Sequence, residues 1–216
     1  MRSCIILGGG GHARVVIDCA RLAGDFQVIG ILDADPARHG AMVDGISILG
    51  GDEILSRLRE EGCGSFLLGL GMGARERLYH VAIAAGLRPR NLIHPRAVVS
   101  AAATLGEGVQ IFAGALVNAG ATLGDNVLVN TGAIVEHDCT VAAHAHIASG
   151  ACLAGGVRVG AGAHVGAAAV VRQGIVIGAG AVIGAGAAVV RDVASGTTVV
   201  GVPARVLSPR YPQASP

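Results

Sequence analysis

The chain has 216 residues, enough for one mid-sized domain or two small ones, and a net charge of only +1 gives no electrostatic pull toward nucleic acid or a membrane surface. Thirty-five glycines with 2% aromatics argue against an ordinary core packed around large rings, and the glycines do not recur every third residue as collagen requires. Cys4, Cys19, Cys63, Cys139 and Cys152 make an odd count without C-x-x-C spacing, so neither a disulfide framework nor a metal site is expected, and a reduced, cytoplasmic compartment is the simplest assignment.

The first predicted element is a short apolar strand over residues 3–7, followed by Gly8-Gly9-Gly10-Gly11-His12-Ala13 and a helix over 14–22. The apolar run is too short for the hydrophobic region of a secretory signal. A strand, a glycine turn and a helix start together make an anion site, because unpaired backbone amides and the helix dipole both face the loop. A second strand over 28–32 ends at Asp33 and Asp35; a helix (52–61), a strand (65–70) and a helix (74–85) complete a small α/β unit with a parallel sheet. The turn fits G-x-G-x-x-A with Asp33 near the ribose-binding position, but fewer than a hundred residues suit a mononucleotide half-domain better than a full dinucleotide fold. The prolines and arginines of 88–95 mark the boundary, giving units of 1–92 and 93–207 and a loose tail from 208 to 216.

From Val99 onward every sixth residue through Val189 is Leu, Ile or Val, sixteen positions in all. Four residues after each stands a small or β-branched apolar residue, such as Ala103, Val109, Ala133 or Cys139. A period of six fits neither an α-helix nor a flat strand. The third position after each aliphatic residue is Gly, Asn126, Asp138, His144 or Asp192, with Ala102 and Ala168 as exceptions; these residue types tolerate positive φ, so each unit reads as a short strand closed by a left-handed corner. Three such units close an eighteen-residue triangular coil, and the stack is a parallel β-helix. The uncharged stretch 173–190 is long enough to span a bilayer, but its glycines and rhythm argue against a lipid-facing helix.

The repeat resembles the hexapeptide-repeat acyltransferases, which implies a left-handed β-helix, a homotrimer and acetyl-CoA bound in the grooves between subunits. The glycine turn with His12, the Leu32-Asp33-Ala34-Asp35 strand end, Leu92-Ile93-His94-Pro95 and the run from Asn130 through Glu136-His137-Asp138 to Cys139 resemble one group within them. That group is the sugar acyltransferases that include bacterial N-acetyltransferases of nucleotide-linked aminodideoxy sugars and sialic acid O-acetyltransferases. The resemblance implies that Gly10, Gly11, His12, Asp33 and Asp35 line the nucleotide-sugar pocket, and that a histidine of the β-helix is the base.

Transfer of an acetyl group from a thioester to an amine needs a group that accepts the amine proton, and an imidazole titrates near neutrality. His137, at an outward corner, is the candidate base, with Glu136 as the group that would hold its ring. By analogy His146 approaches the thioester, and the Gly155 amide is a candidate oxyanion donor. His144 is assigned to corner geometry or exposed surface, His94 to structure and His164 to a surface stack; His39 and His80 lie in no motif. Three functions follow in order: N-acetylation of the C4 amine of a UDP- or GDP-linked 4-amino-4,6-dideoxyhexose such as GDP-perosamine, O-acetylation of sialic acid or a related hydroxyl, and a non-catalytic nucleotide-sensing trimer.

Overall fold

The computed structural model describes residues 2–207; the tail expected at 208–216 lies outside them. Strand β1 (Arg2–Leu7) leads through the glycine turn into α1 (Gly11–Ala23), then β2 (Phe26–Leu32). Ala13, Val16, Ile17 and Ala20 recur at helical spacing and bury one stripe of α1. The helix stops at Gly24, whose φ of 75° lets its N–H bond back to Ala20 O at 3.2 Å. β3 (Met42–Val43), β4 (Ile46–Gly50), α2 (Leu55–Glu60), β5 (Ser65–Leu68), α3 (Arg75–Ala84) and β6 (Arg88–Pro89) follow. The sheet order is β3-β4-β2-β1-β5-β6, parallel except for the β3–β4 hairpin at the edge. That hairpin was not foreseen, because Met42–Val43 is too short to show an alternating pattern.

The second unit is a left-handed parallel β-helix of two-residue strands. Partners stand eighteen residues apart, Gln110 beside Leu128, Leu116 beside Ile134 and Thr122 beside Thr140, and each series forms its own face. Face I carries the strands that begin at 92, 110, 128, 146, 164, 182 and 198, with the strand at 205 added antiparallel; face II carries those at 98, 116, 134, 152, 170 and 188; face III those at 104, 122, 140, 158 and 176. The six-residue aliphatic positions from Ile111 to Val189 and their small partners fill the interior almost without exposure. Corners at Asn126, Asp138 and His144 have φ of 57°, 59° and 63°. Ala168 takes the same conformation at 56°, while Ala102 and Asp192 do not; at Ala168 the stacked coils override a local preference worth roughly 1 kcal/mol.

The two units meet on face I. Its outward residues Leu92, Gln110 and Leu128, with Phe112 beside them, are at most 1% exposed, and Leu92, Phe112 and Leu128 pack into one cluster with α1 and the sheet residues Cys4, Ile6 and Leu67. Gln110 Nε2 donates to Leu68 O at 3.1 Å. Leu92–Ile93 already pairs with Gln110–Ile111 as the first rung, so a division between 92 and 93 cuts this strand. Among the described residues no element of the N-terminal unit covers face II, and its outward residues Val98, Leu116, Ile134, Cys152, Val170 and Ala188 form an apolar ladder in register.

Candidate active site

The corner after Ile134–Val135 carries Glu136, His137 and Asp138. Asp138 occupies the left-handed position, which an aspartate tolerates better than most residues, and from there its carboxylate turns back onto the neighbouring ring. His137 Nδ1–H donates to Asp138 Oδ2 at 2.9 Å. This bond raises the imidazole pKa above its usual value against desolvation, with the charges of Asp138 and Glu136 adding smaller contributions in the same direction as the bond. Because a carboxylate can only accept, the proton sits on Nδ1, and Nε2 is left as the free lone pair. The ring lies over Gly155 of the next coil, where a Cβ would stand 2.6 Å from both Cε1 and Nε2. Glycine at 155 is therefore what gives the ring its seat.

Glu136 does not hold that ring, contrary to the expectation. Its Oε2 accepts from Asn118 Nδ2 at 2.8 Å, one coil below, so the residue that orients His137 is Asp138. The sequence placed Asp138 only as a positive-φ corner; the adjacency of His and Asp was the available signal. The Gly155 N–H has no partner among the described residues.

In the N-terminal unit the backbone of Gly9, Gly10 and Gly11, with Arg14, Arg38 and Asp44, lines an open cleft of about 480 Å³. Gly10 caps α1 with extended backbone, and the first turn carries no acidic side chain, which suits a bound anion. A smaller pocket of about 120 Å³ behind the turn is lined by Leu32, Asp33, Asp52, Leu70, Arg77 and others. Asp33 lines it, but its carboxylate is engaged: Oδ2 accepts from Gly9 N and Arg38 Nη1, both at 2.8 Å, and Oδ1 from Asp35 N at 3.0 Å. It braces the glycine turn. Asp35 caps the short turn Pro36–Arg38 by accepting from Ala37 N at 3.0 Å and lines neither pocket. Arg38, with a second bond to Gly9 O at 2.6 Å, is a pocket residue that sequence reasoning missed, since nothing local distinguishes it from a solvated arginine.

His12 turns from the cleft into the seam between the units. Its ring packs edge-on against Phe112, centroids 5.2 Å apart, and burial pushes its pKa down to about 4, with the charge of Arg75 adding to the effect. His146 lies in the same seam, its ring 4.8 Å from that of His164, and burial pushes its pKa down to about 3, helped by His164, Arg75 and His12. Both rings are neutral at physiological pH. The buried guanidinium of Arg75 gives one bond, to Leu70 O at 2.8 Å, while its Nε and Nη2, His12 Nε2, His146 Nδ1 and His164 Nδ1 find no protein partner among the described residues. Desolvation alone lowers the Arg75 pKa to about 9. His146 and His164 line a small cavity with Arg75 and His144, and the two rings stack as the sequence suggested. His146 belongs to face I and His137 to the corner between faces II and III, so a single chain holds them on different sides of the prism.

A family model, the PglD N-terminal domain, matches residues 3–81. The perosamine N-acetyltransferase of Caulobacter crescentus, solved with CoA and GDP-perosamine as a histidine-to-asparagine variant, is 42% identical over 96% of this chain and 98% of its own, with a TM-score of 0.92. The acetyltransferase domain of PglB from Neisseria gonorrhoeae is 36% identical over 96% and 100%, TM-score 0.90; a second structure of that domain holds acetyl coenzyme A. This chain belongs to the hexapeptide-repeat sugar acyltransferases. As a member of that family it is an enzyme that transfers an acyl group to a sugar. WeeI from Acinetobacter baumannii, 23% identical over 96% and 100% with a TM-score of 0.85, shares the fold. No match was found among curated proteins.

Within the family frame, the structure brings His137, Asp138 and Gly155 together on one corner, and Gly10 and Gly11 together in the cleft with Arg14 and Arg38. It separates from these His12 and His146, which share the seam, and Asp35, which is committed to its turn. No helix among the described residues is long and apolar enough to cross a membrane.

Proposed function

We propose that the enzyme transfers the acetyl group of acetyl-CoA to the C4 amine of a nucleotide-linked 4-amino-4,6-dideoxyhexose, with His137 as general base. GDP-perosamine is the acceptor to test first, since a relative 42% identical across nearly the whole chain was solved with it; UDP-linked sugars are the comparison arm. The observation that carries the base assignment is the seat of His137 over Gly155, with Nδ1 tied to Asp138 and Nε2 free.

In this reading the amine nitrogen attacks the thioester carbonyl carbon while Nε2 takes its proton. The carbonyl oxygen gains charge beside the Gly155 N–H, the C–S bond breaks, and the CoA thiolate leaves and takes up the proton held by the His137 imidazolium. Asp138 stabilises the imidazolium formed. Diphosphate oxygens would lie against the amides of Gly10 and Gly11, within reach of Arg14 and Arg38. His12 and His146 lie in the seam of the same chain and are assigned no step in this transfer.

The apolar ladder of face II supports a homotrimer, because three copies could bury it around one axis. The corner bearing His137 follows directly from Ile134–Val135 of that face, so trimerisation would set the base at the lip of an inter-subunit groove. The enzyme is read as cytoplasmic, where acetyl-CoA and sugar nucleotides are both supplied.

His137→Ala should fold and bind CoA normally yet lose roughly 10²–10⁴-fold in kcat with GDP-perosamine, the usual contribution of a positioned base. Turnover within a fewfold of the parent would remove the assignment. A monomer in sedimentation at assay concentration would remove the inter-subunit site.

A further inference from the structure

We propose that Glu76, His80 and His144 form a binding site for a first-row transition dication, for which Zn²⁺ is the probe, spanning the junction between the N-terminal unit and the β-helix. The inference does not rest on the acetyl-transfer reading.

Glu76 and His80 are four residues apart on α3 and so project from the same side of that helix. His144 comes from the other unit, at the corner that leads into face I. One ligand atom from each residue lies within 4.8 Å of the other two, His144 Nε2 stands 3.9 Å from a Glu76 carboxylate oxygen, and the two imidazole centroids are 5.2 Å apart. Small rotamer changes close these separations around one ion at the bond lengths of about 2.0–2.2 Å typical of zinc. Two imidazoles with one carboxylate favour zinc, nickel, cobalt or copper over the hard cations magnesium and calcium.

Two independent features prepare His144 for this role. It holds a left-handed φ of 63°, a conformation occupied by glycine at most corners of this prism, so the corner keeps a side chain where glycine would be less strained. The fully buried Asn126 holds the ring, its amide 2.9 Å from Nδ1, while its other amide atom, Oδ1, finds no partner among the described residues. With the amide turned so that Oδ1 accepts from Nδ1–H, Nε2 presents its lone pair to Glu76 and His80, the arrangement seen behind metal-bound histidines. Burial favours the neutral ring, opposed first by the Glu76 carboxylate, while the charges of His80 and Arg75 act with burial and that of Asp125 against it. The Glu76 carboxylate supplies local negative charge against Arg75. Because the ligands come from both units, a bound ion would stabilise their junction in proportion to its occupancy.

The test uses the full chain without a polyhistidine tag, stripped with EDTA and titrated with Zn²⁺ by calorimetry, with visible absorption of Co²⁺ as a reporter of coordination. The parent should bind one ion per chain and unfold several degrees higher with saturating Zn²⁺ than in EDTA. His144→Gly suits the left-handed corner but leaves the buried Asn126 amide without its ring partner, so its own unfolding temperature in EDTA is the baseline for its metal response. The variant should lose at least about tenfold in affinity, together with the Zn²⁺-dependent rise in unfolding temperature; Glu76→Gln should weaken binding in the same direction. Absence of stoichiometric binding by the parent would overturn the proposal. So would binding unchanged in both variants, or binding that survives in His144→Gly but is lost in His164→Ala, which would assign the ion to the His146–His164 pair.

Discussion

The same residue, glycine, serves two purposes in the two units, and the contrast separates what builds this protein from what the ligand requires. In the β-helix a glycine such as Gly166 is there because the next coil leaves no room: a Cβ would stand 2.5–2.9 Å from Ile183 O, Ala185 N and Gly184 C. In the N-terminal turn, Gly10 and Gly11 have ordinary φ, and a Cβ at either would meet nothing within 4 Å. The fold does not need glycine at those two places. What a bare backbone provides there is close approach for a ligand. Gly155 belongs to the prism yet follows the second logic, since the atoms it makes way for are the ring of His137.

The largest effect that would sharpen this contrast is expected at Gly155. Alanine there evicts the exposed imidazole rather than the backbone, so thermal stability should hold while kcat falls by about 10², a sizeable part of the base's contribution. Normal kcat would mean that the ring's seat is irrelevant to turnover. Gly166→Ala should do the opposite, destabilising the protein by about 1–3 kcal/mol, the usual cost of overpacking, with kinetic constants of the folded fraction unchanged; thermal and urea unfolding measure it. Gly10→Ala should leave the unfolding midpoint where it is and raise KM for the nucleotide sugar by about tenfold, equivalent to about 1.4 kcal/mol of lost binding. A destabilised Gly10→Ala with unaltered KM would invert the comparison.

The contrast also explains which features were legible in sequence. In the β-helix each position has a rung and a direction, so period, corners and interior could be assigned from residues alone, and His137 stood out as a functional group on an outward corner. Even there, which neighbour holds the ring was misread: Glu136 and Asp138 are both adjacent carboxylates, and only the left-handed backbone at Asp138 turns its side chain toward Nδ1. In the N-terminal unit, the strand, turn and helix were readable from local chemistry, but roles depend on tertiary approach. Arg38 reaches Asp33 and Gly9 across a turn, and His12 is set by Phe112, a hundred residues away. Local pattern carries no trace of either contact. The seam itself was unreadable, because Gln110 and Leu128 occupy outward slots that a free prism would leave in water.

The smallest expected effect tests the corner geometry by pH. Hydrogen bonding to the Asp138 carboxylate raises the His137 pKa above its ordinary value, and a base works only when unprotonated, so kcat/KM should climb with pH through that raised pKa and then level off. Asn is isosteric with Asp and accepts the left-handed conformation, which makes Asp138→Asn a change of charge with little change of shape. Without the carboxylate the imidazolium loses its main stabilising partner, its pKa falls, and the acid limb should move to lower pH. The weaker base should also lower the plateau, by about tenfold or less. Substituting Glu136 by Gln removes only a more distant charge and should shift the limb in the same direction by a smaller amount. If instead Glu136→Gln moved the profile and Asp138→Asn did not, the orienting role would return to Glu136, and the corner would have to rearrange when substrate binds.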